Sequence, residues 1–409
     1  MTTSAPPRTS LPSAGVPTPA PSRSPQLLRR LQLVVALALV LAGGLAAWMI
    51  QDLRADLATT PELAQQYARL GDVRHQLNTA ATEAARGALL SEPATGTHSA
   101  AAGEAVATAA GLLVEAAQAR PQDADLLSEA GQGVVRYGKA LAAAAGNPRA
   151  KAVPLLAAAD VQLDTVLDGI GTLQQRLGDE ATVRPAGLNA VLAWLPGLAL
   201  LAVVVWASWL VARLSHRVLN VGLVGSGIAV VVVLALALGA QSAAAQASEV
   251  ARGTQFGHIV QVATAVDELD RAQRVLTTGV LRHEWTADSQ AALDEATSAA
   301  SDAATSEDLP SLKAFRTAST TIVGALRDGD WTTATATVTA GDEKSLAGAT
   351  EGFLDSAAKK TAAAVQRAAA APESAGTELA IQLVAAVAVA LAGAFLGVLG
   401  LGRRLQEYR

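Results

Sequence analysis

Two dipeptides in this sequence pair an arginine with a histidine: Arg74-His75 and Arg282-His283. A guanidinium is a planar fork that can grip a carboxylate through two parallel hydrogen bonds. If a small anion or acidic ligand binds this chain, Arg74, His75, Arg282 and His283 are the first residues expected to hold it. As a metal site they would need a third ligand at metal spacing. The remaining histidines, His98, His216 and His258, are scattered and do not supply one. The plainer reading of the same dipeptides is two polar pairs on exposed helix surfaces.

Other residue types that could do chemistry are not arranged for it. Asp267-Glu268 and Asp294-Glu295 are adjacent carboxylates. Neighbouring positions on a helix point in different directions, so they form no acid-base dyad and read as solvated faces. No grouping of Ser, His and Asp resembles a nucleophilic triad. Gly222, Gly225 and Gly227 fall inside a long apolar run, where small residues serve helix packing rather than phosphate binding. The chain has no cysteine, which excludes disulfides, thiol chemistry and Cys-ligated metals. A net charge of -5 without a basic stripe argues against nucleic acid as a partner. A non-enzymatic protein without a cofactor is expected.

The elements that position these residues come from the apolar composition. The 409 residues are 51% hydrophobic but only 3% aromatic and 16% charged, dominated by Ala, Val and Leu. That balance predicts an all-α protein with some helices in lipid. Four stretches, 31–50, 190–212, 218–240 and 379–402, are uncharged over nearly all their length and long enough to cross a bilayer as helices. The first exceeds a usual signal-peptide core and no small-residue cleavage site follows it, so it reads as an uncleaved anchor. Trp194, Trp206 and Trp209 lie toward the ends of the second, where indole favours the interface.

Basic residues set the orientation. Arg8, Arg23, Arg29 and Arg30 precede the first span, Arg213, His216 and Arg217 fill the short hairpin 213–217, and Arg403, Arg404 and Arg409 close the chain. The positive-inside rule places all three in the cytoplasm of a multi-pass plasma-membrane protein with both termini inside. The long connections then lie outside. Segment 51–189 carries 16 acidic against 11 basic residues, and segment 241–378 carries 19 against 11.

Each outer segment reads as a four-helix, up-down bundle whose first and last helices continue the spans. In the first, Leu63, Tyr67, Leu70 and Leu77 recur at helical spacing, Pro93 and Gly96 break the pattern, and further helices start near Ser99, Asp123 and Leu155. In the second, helices are expected over 243–283, 287–304, 309–327 and 342–370, with a turn at Asp330 and Trp331 that opens a short extra helix. The segments are 139 and 138 residues long, which points to tandem duplication of a span-domain-span unit. Residues 1–30, rich in Pro, Ser and Thr, read as a disordered cytoplasmic tail.

Plain spans, large outer domains and little cytoplasmic mass resemble the actinobacterial GlnX-type membrane proteins. The resemblance covers the whole chain at the level of topology and an Ala-rich composition, without a diagnostic motif. It implies outer bundles that contact an amino-acid-binding lipoprotein and a signal passed to a cytoplasmic Ser/Thr kinase, protein kinase G. A non-enzymatic transmembrane relay is the function expected. The alternatives are a structural or assembly protein of an envelope complex, and a transport accessory subunit.

Overall fold

Ala and Leu in bulk leave helix as the favoured local state along the chain, and the helices even take in Pro61, Pro154 and Pro372. The computed structural model describes residues 24–90, 94–182, 198–199, 201–207, 209–210, 213, 221–342 and 345–407. No strand occurs among them. Helix α1 runs from Ser24 to Leu89, α2 from Ala94 to Ala119, α3 from Ala124 to Ala144 and α4 from Arg149 to Thr182. Helix α5 covers Val221–Ser248, passes through a π-helical segment at Glu249–Phe256, and is followed by α6 at Gly257–Arg282. Then come α7 (Ala287–Ala303), α8 (Leu309–Asp328), α9 (Trp331–Thr339) and α10 (Leu346–Glu407).

The ends have local causes. Gly329 leaves α8 in the left-handed region (φ 74°), and Asp330 N–H returns to the Ala325 carbonyl at 2.8 Å, the hydrogen-bond pattern of a glycine C-cap. The Asp330 side chain then accepts from Thr333 N–H at 3.1 Å and starts α9. Thr286 caps α7 in the same way through Ser289 N–H. Two expectations shift. Helix α1 already includes residues 24–30, assigned above to the tail, because the Leu-Leu-Arg-Arg run before span one is itself helix-forming. Helix α2 begins at Ala94, so Gly96 lies inside it rather than at a break.

Four helices among the described residues are long and apolar enough to cross a membrane: Gln32–Leu89, Thr95–Ala119, Val224–Arg282 and Leu346–Gly400. Three of them take in most of the stretches 31–50, 218–240 and 379–402. The hairpin 213–217 and stretch 190–212 lie mostly outside the described residues, as do residues 1–23. Thr95–Ala119, an Ala-rich helix, is the least apolar of the four, at a mean hydropathy of 1.3 against 2.3 to 2.5 for the others. Its Ala102, Ala105, Ala109, Leu113 and Ala116 are buried.

The chain divides into two compact units. One comprises residues 1–49, 188–238 and 382–409. Here large apolar side chains point outward, with Leu33 71% and Val384 69% exposed, a surface suited to lipid as solvent. Inward, the helices approach at small residues. A Cβ on Gly43 would lie 2.6 Å from that of Ala390, and one on Gly397 would lie 2.7 Å from Ser226 Oγ. The Ser226 hydroxyl donates to the Gly393 carbonyl at 3.0 Å. Close backbone approach of this kind is how helices associate where no hydrophobic effect separates them from lipid.

The other unit comprises residues 50–187 and 239–381. Within it α2 packs on α3, α3 on α4, α6 on α7 and α8 on α9. One core gathers Leu63, Leu70, Leu77, Tyr137, Leu163 and Ile170 with Phe256 and Ile259 from the later segment. A second is built around Leu269, Leu276, Phe315, Ile322 and Phe353. The second is pinned by Asp308, whose carboxylate accepts from Lys360 Nζ at 2.7 Å, Thr305 N–H at 2.8 Å and Ser356 Oγ at 2.8 Å. Burial opposes the charge on Asp308, but these donors outweigh it and lower its pKa to about 2.

Gly43→Leu should therefore lower the thermal midpoint of the protein in detergent, since overpacking costs about 1–3 kcal/mol. Gly44→Leu, at a position with nothing within 4 Å of its Cβ, should leave it unchanged. Equal midpoints for the two variants would contradict the close approach at Gly43.

Candidate functional site

Helix α1 buries Leu63, Tyr67, Leu70 and Leu77 along one face, and this fixes where Arg74 and His75 stand. Both reach α6 of the same unit. Arg74 Nε donates to Asp267 Oδ1 at 2.9 Å, its Nη2 donates to Asp267 Oδ2, and its Nη1 donates to the Leu167 carbonyl on α4 at 3.1 Å. Asp267 thus fills the two-pronged face of the guanidinium. Gly171 makes room for this arrangement, because a Cβ there would lie 3.0 Å from Arg74 Nη1. His75 Nδ1 stands 2.8 Å from Asp270 Oδ2.

Arg282 and His283 lie at the far end of α6. Arg282 Nη2 is 3.6 Å from Asp160 Oδ2. His283 ends the helix in the left-handed region, with φ 54°, and stacks on Trp331 at 4.3 Å between ring centroids. The structure brings Arg74 together with His75, and Arg282 to a separate groove lined by Asp160, Asp164 and Arg274. His283 serves as a helix terminator.

These contacts belong to a longer polar seam between residues distant in sequence. Arg274 Nη1 binds Asp164 at 2.9 Å. Arg149 donates to the Val280 and Leu281 carbonyls at 3.1 Å, a cation at the C-terminal end of α6 where the helix dipole favours it. Near residue 252, Arg252 Nε donates to Thr60 Oγ1 at 3.0 Å. Asp267, expected as a solvated face, is a seam residue. Glu268 makes a looser contact, 3.7 Å, with Arg271, while Asp294 and Glu295 are exposed.

Beside the seam is a cleft of about 820 Å³ between α1, α4, α6 and α10. Arg74, His75 and Asp267 form part of its wall, with Tyr67, Asp72 and Gln174. Burial pushes Asp270 up. It also opposes charge on His75, but the hydrogen bond and charge of Asp270, aided by Asp72, outweigh this and hold the imidazole above its ordinary range. The pair shares one proton across its 2.8 Å contact. No group of His, Asp and Glu among the described residues could hold a metal ion. No family model, curated protein or solved structure matches this chain.

Asp267 and Asp270 were missed from sequence, although their spacing of three places them on one helical face beside the buried Leu269. Both His75 and Asp270 have raised pKa values, so the folded state binds more protons than the unfolded chain. The His75 contribution is complete below the ordinary histidine value of about 6.5 and that of Asp270 below the ordinary aspartate value of about 3.9, and each is lost as pH rises through its folded value. The thermal midpoint should therefore fall as pH rises above about 6.5, and His75→Gln should flatten that slope. Differential scanning fluorimetry across this range checks it, and an unchanged slope in His75→Gln would assign the fall elsewhere.

Proposed function

We propose that this protein is a non-enzymatic transmembrane signal relay. Its unit of residues 50–187 and 239–381 stands outside the plasma membrane and responds to an amino-acid-binding lipoprotein or a small ligand, and the signal passes to a separate cytoplasmic protein such as a Ser/Thr kinase. The observation that carries this reading is the make-up of α1. One helix holds the apolar window beginning at Gln32 and also Arg74 and His75, whose partners on α6 are ionic rather than apolar. Ion pairs gain little net free energy when partly buried, because desolvation offsets attraction. Contacts of that kind can exchange between alternative arrangements at modest cost, as a relay requires. The basic residues flanking the spans support the outer placement. The absence of charge across the apolar stretches disfavours a carrier, which usually needs ionisable groups in the membrane.

A solute-binding lipoprotein should co-purify with the full chain from its native membrane, and added amino acid should change the amount recovered. Joining α1 to α6 through paired Arg74→Cys and Asp267→Cys substitutions under oxidising conditions should abolish that change. An association with envelope machinery indifferent to amino acids and to the cross-link would instead favour a structural role.

A further inference from the structure

The cleft between α1, α4, α6 and α10 holds charge that the seam does not neutralise. Arg74 is matched by Asp267 and His75 by Asp270. Among the described residues, Asp72 and Asp355, both exposed and both on the cleft wall, make no ion pair within 4 Å. The remaining cation of the wall, Arg69, donates to the Gln66 amide oxygen at 3.1 Å. Two unmatched carboxylates thus face one arginine.

Acidic residues alone would mean little, but Gln174 adds an independent sign. Its side chain is only 8% exposed, it lines the cleft, and it makes no hydrogen bond among the described residues. With no protein partner, the amide of this otherwise buried residue is left open to the cleft, where a ligand can reach it. Its Nε2 lies 3.9 Å from where a Cβ on Gly71 would stand, which puts the amide against α1 on the cleft wall. The hydroxyl of Tyr67, a buried residue on the same wall, also makes no hydrogen bond among the described residues.

We propose that this cleft binds a small organic amine as its ammonium ion, with Asp72 as counter-charge and the Gln174 carboxamide oxygen and Tyr67 hydroxyl as further acceptors. An ammonium carries three donors and no acceptor, which matches this set. Ala68, Ala263, Ala358 and Val365 on the same wall form an apolar bed for a short alkyl chain. An anion fits poorly. Asp267 already occupies Arg74, and an incoming carboxylate would face Asp72 and Asp355. The proposal goes beyond the relay reading and does not depend on it, because binding is measured on the purified chain without any partner.

Isothermal titration of the full chain in lipid nanodiscs with 1,4-diaminobutane, butylamine, glutarate and glutamine tests it. The two amines should bind and glutarate should not. Asp72→Asn and Gln174→Leu should each weaken the amines by at least about tenfold, the loss expected for a hydrogen bond to a charged group. Gln174→Glu, which adds a carboxylate, should tighten them, a gain that a merely structural role would not produce. Thermal midpoints near that of the unaltered chain identify variants that have folded. Binding of glutarate or glutamine in preference to the amines would overturn the proposal. So would the absence of amine binding to the folded chain, or amine binding indifferent to both Asp72 and Gln174. Loss of the amine result with lipoprotein association intact would leave the relay standing, and the reverse outcome would leave the amine site standing.

Discussion

Placing a guanidinium and an imidazole between helices rich in alanine costs solvation that only a matched set of acceptors can return. Arg74 receives both oxygens of Asp267 and a backbone carbonyl of α4, and His75 receives Asp270. Removing one partner from a fully buried pair costs about 3–5 kcal/mol and from these part-buried pairs less, whereas an apolar pair of the same volume would often be as stable or more so. The seam's contribution is therefore registry more than stability. In this arrangement it sets the axial position of α1 against α6, and the cleft and the groove beside Arg282 take their walls from that registry.

Alanine sets the conditions under which such a seam can exist. Short side chains let helices come close but bury little apolar area per residue. Larger side chains concentrate in two cores, around Tyr137 and Leu163 and around Phe315 and Phe353. Among the spans the same economy appears at Gly43 and Ala390, and at Ser226 and Gly397. In lipid the gain comes from contact and hydrogen bonding rather than from excluded water.

Most of the helical outline was legible because its signals are local. Uncharged runs of bilayer length, the helical spacing of Leu63, Tyr67, Leu70 and Leu77, and the turn at Asp330 each act within a few residues. The seam was not legible in the same way. Arg74 and Asp267 are 193 positions apart, and nothing in the dipeptide Arg74-His75 names its acids. The available trace was Asp267 and Asp270 spaced by three on a helix whose buried face also includes Leu269 and Leu276. As dipeptides, Arg74-His75 and Arg282-His283 are equivalent. Tertiary context separates them, one at a seam and one at a helix end where His283 takes a left-handed conformation.

The π-helical segment Glu249–Phe256 bears on how this chain can change length. A π bulge winds about one residue more into a turn than an α-helix does. Deleting one residue between 257 and 266, in the α-helical turns that follow, would swing every later side chain by about 100° and carry Asp267 and Asp270 away from α1. Deleting one within 249–256 can be absorbed by relaxation to ordinary α winding, with the downstream face preserved. Insertions and deletions among descendants of this sequence should collect there, making the segment an expansion joint for evolution.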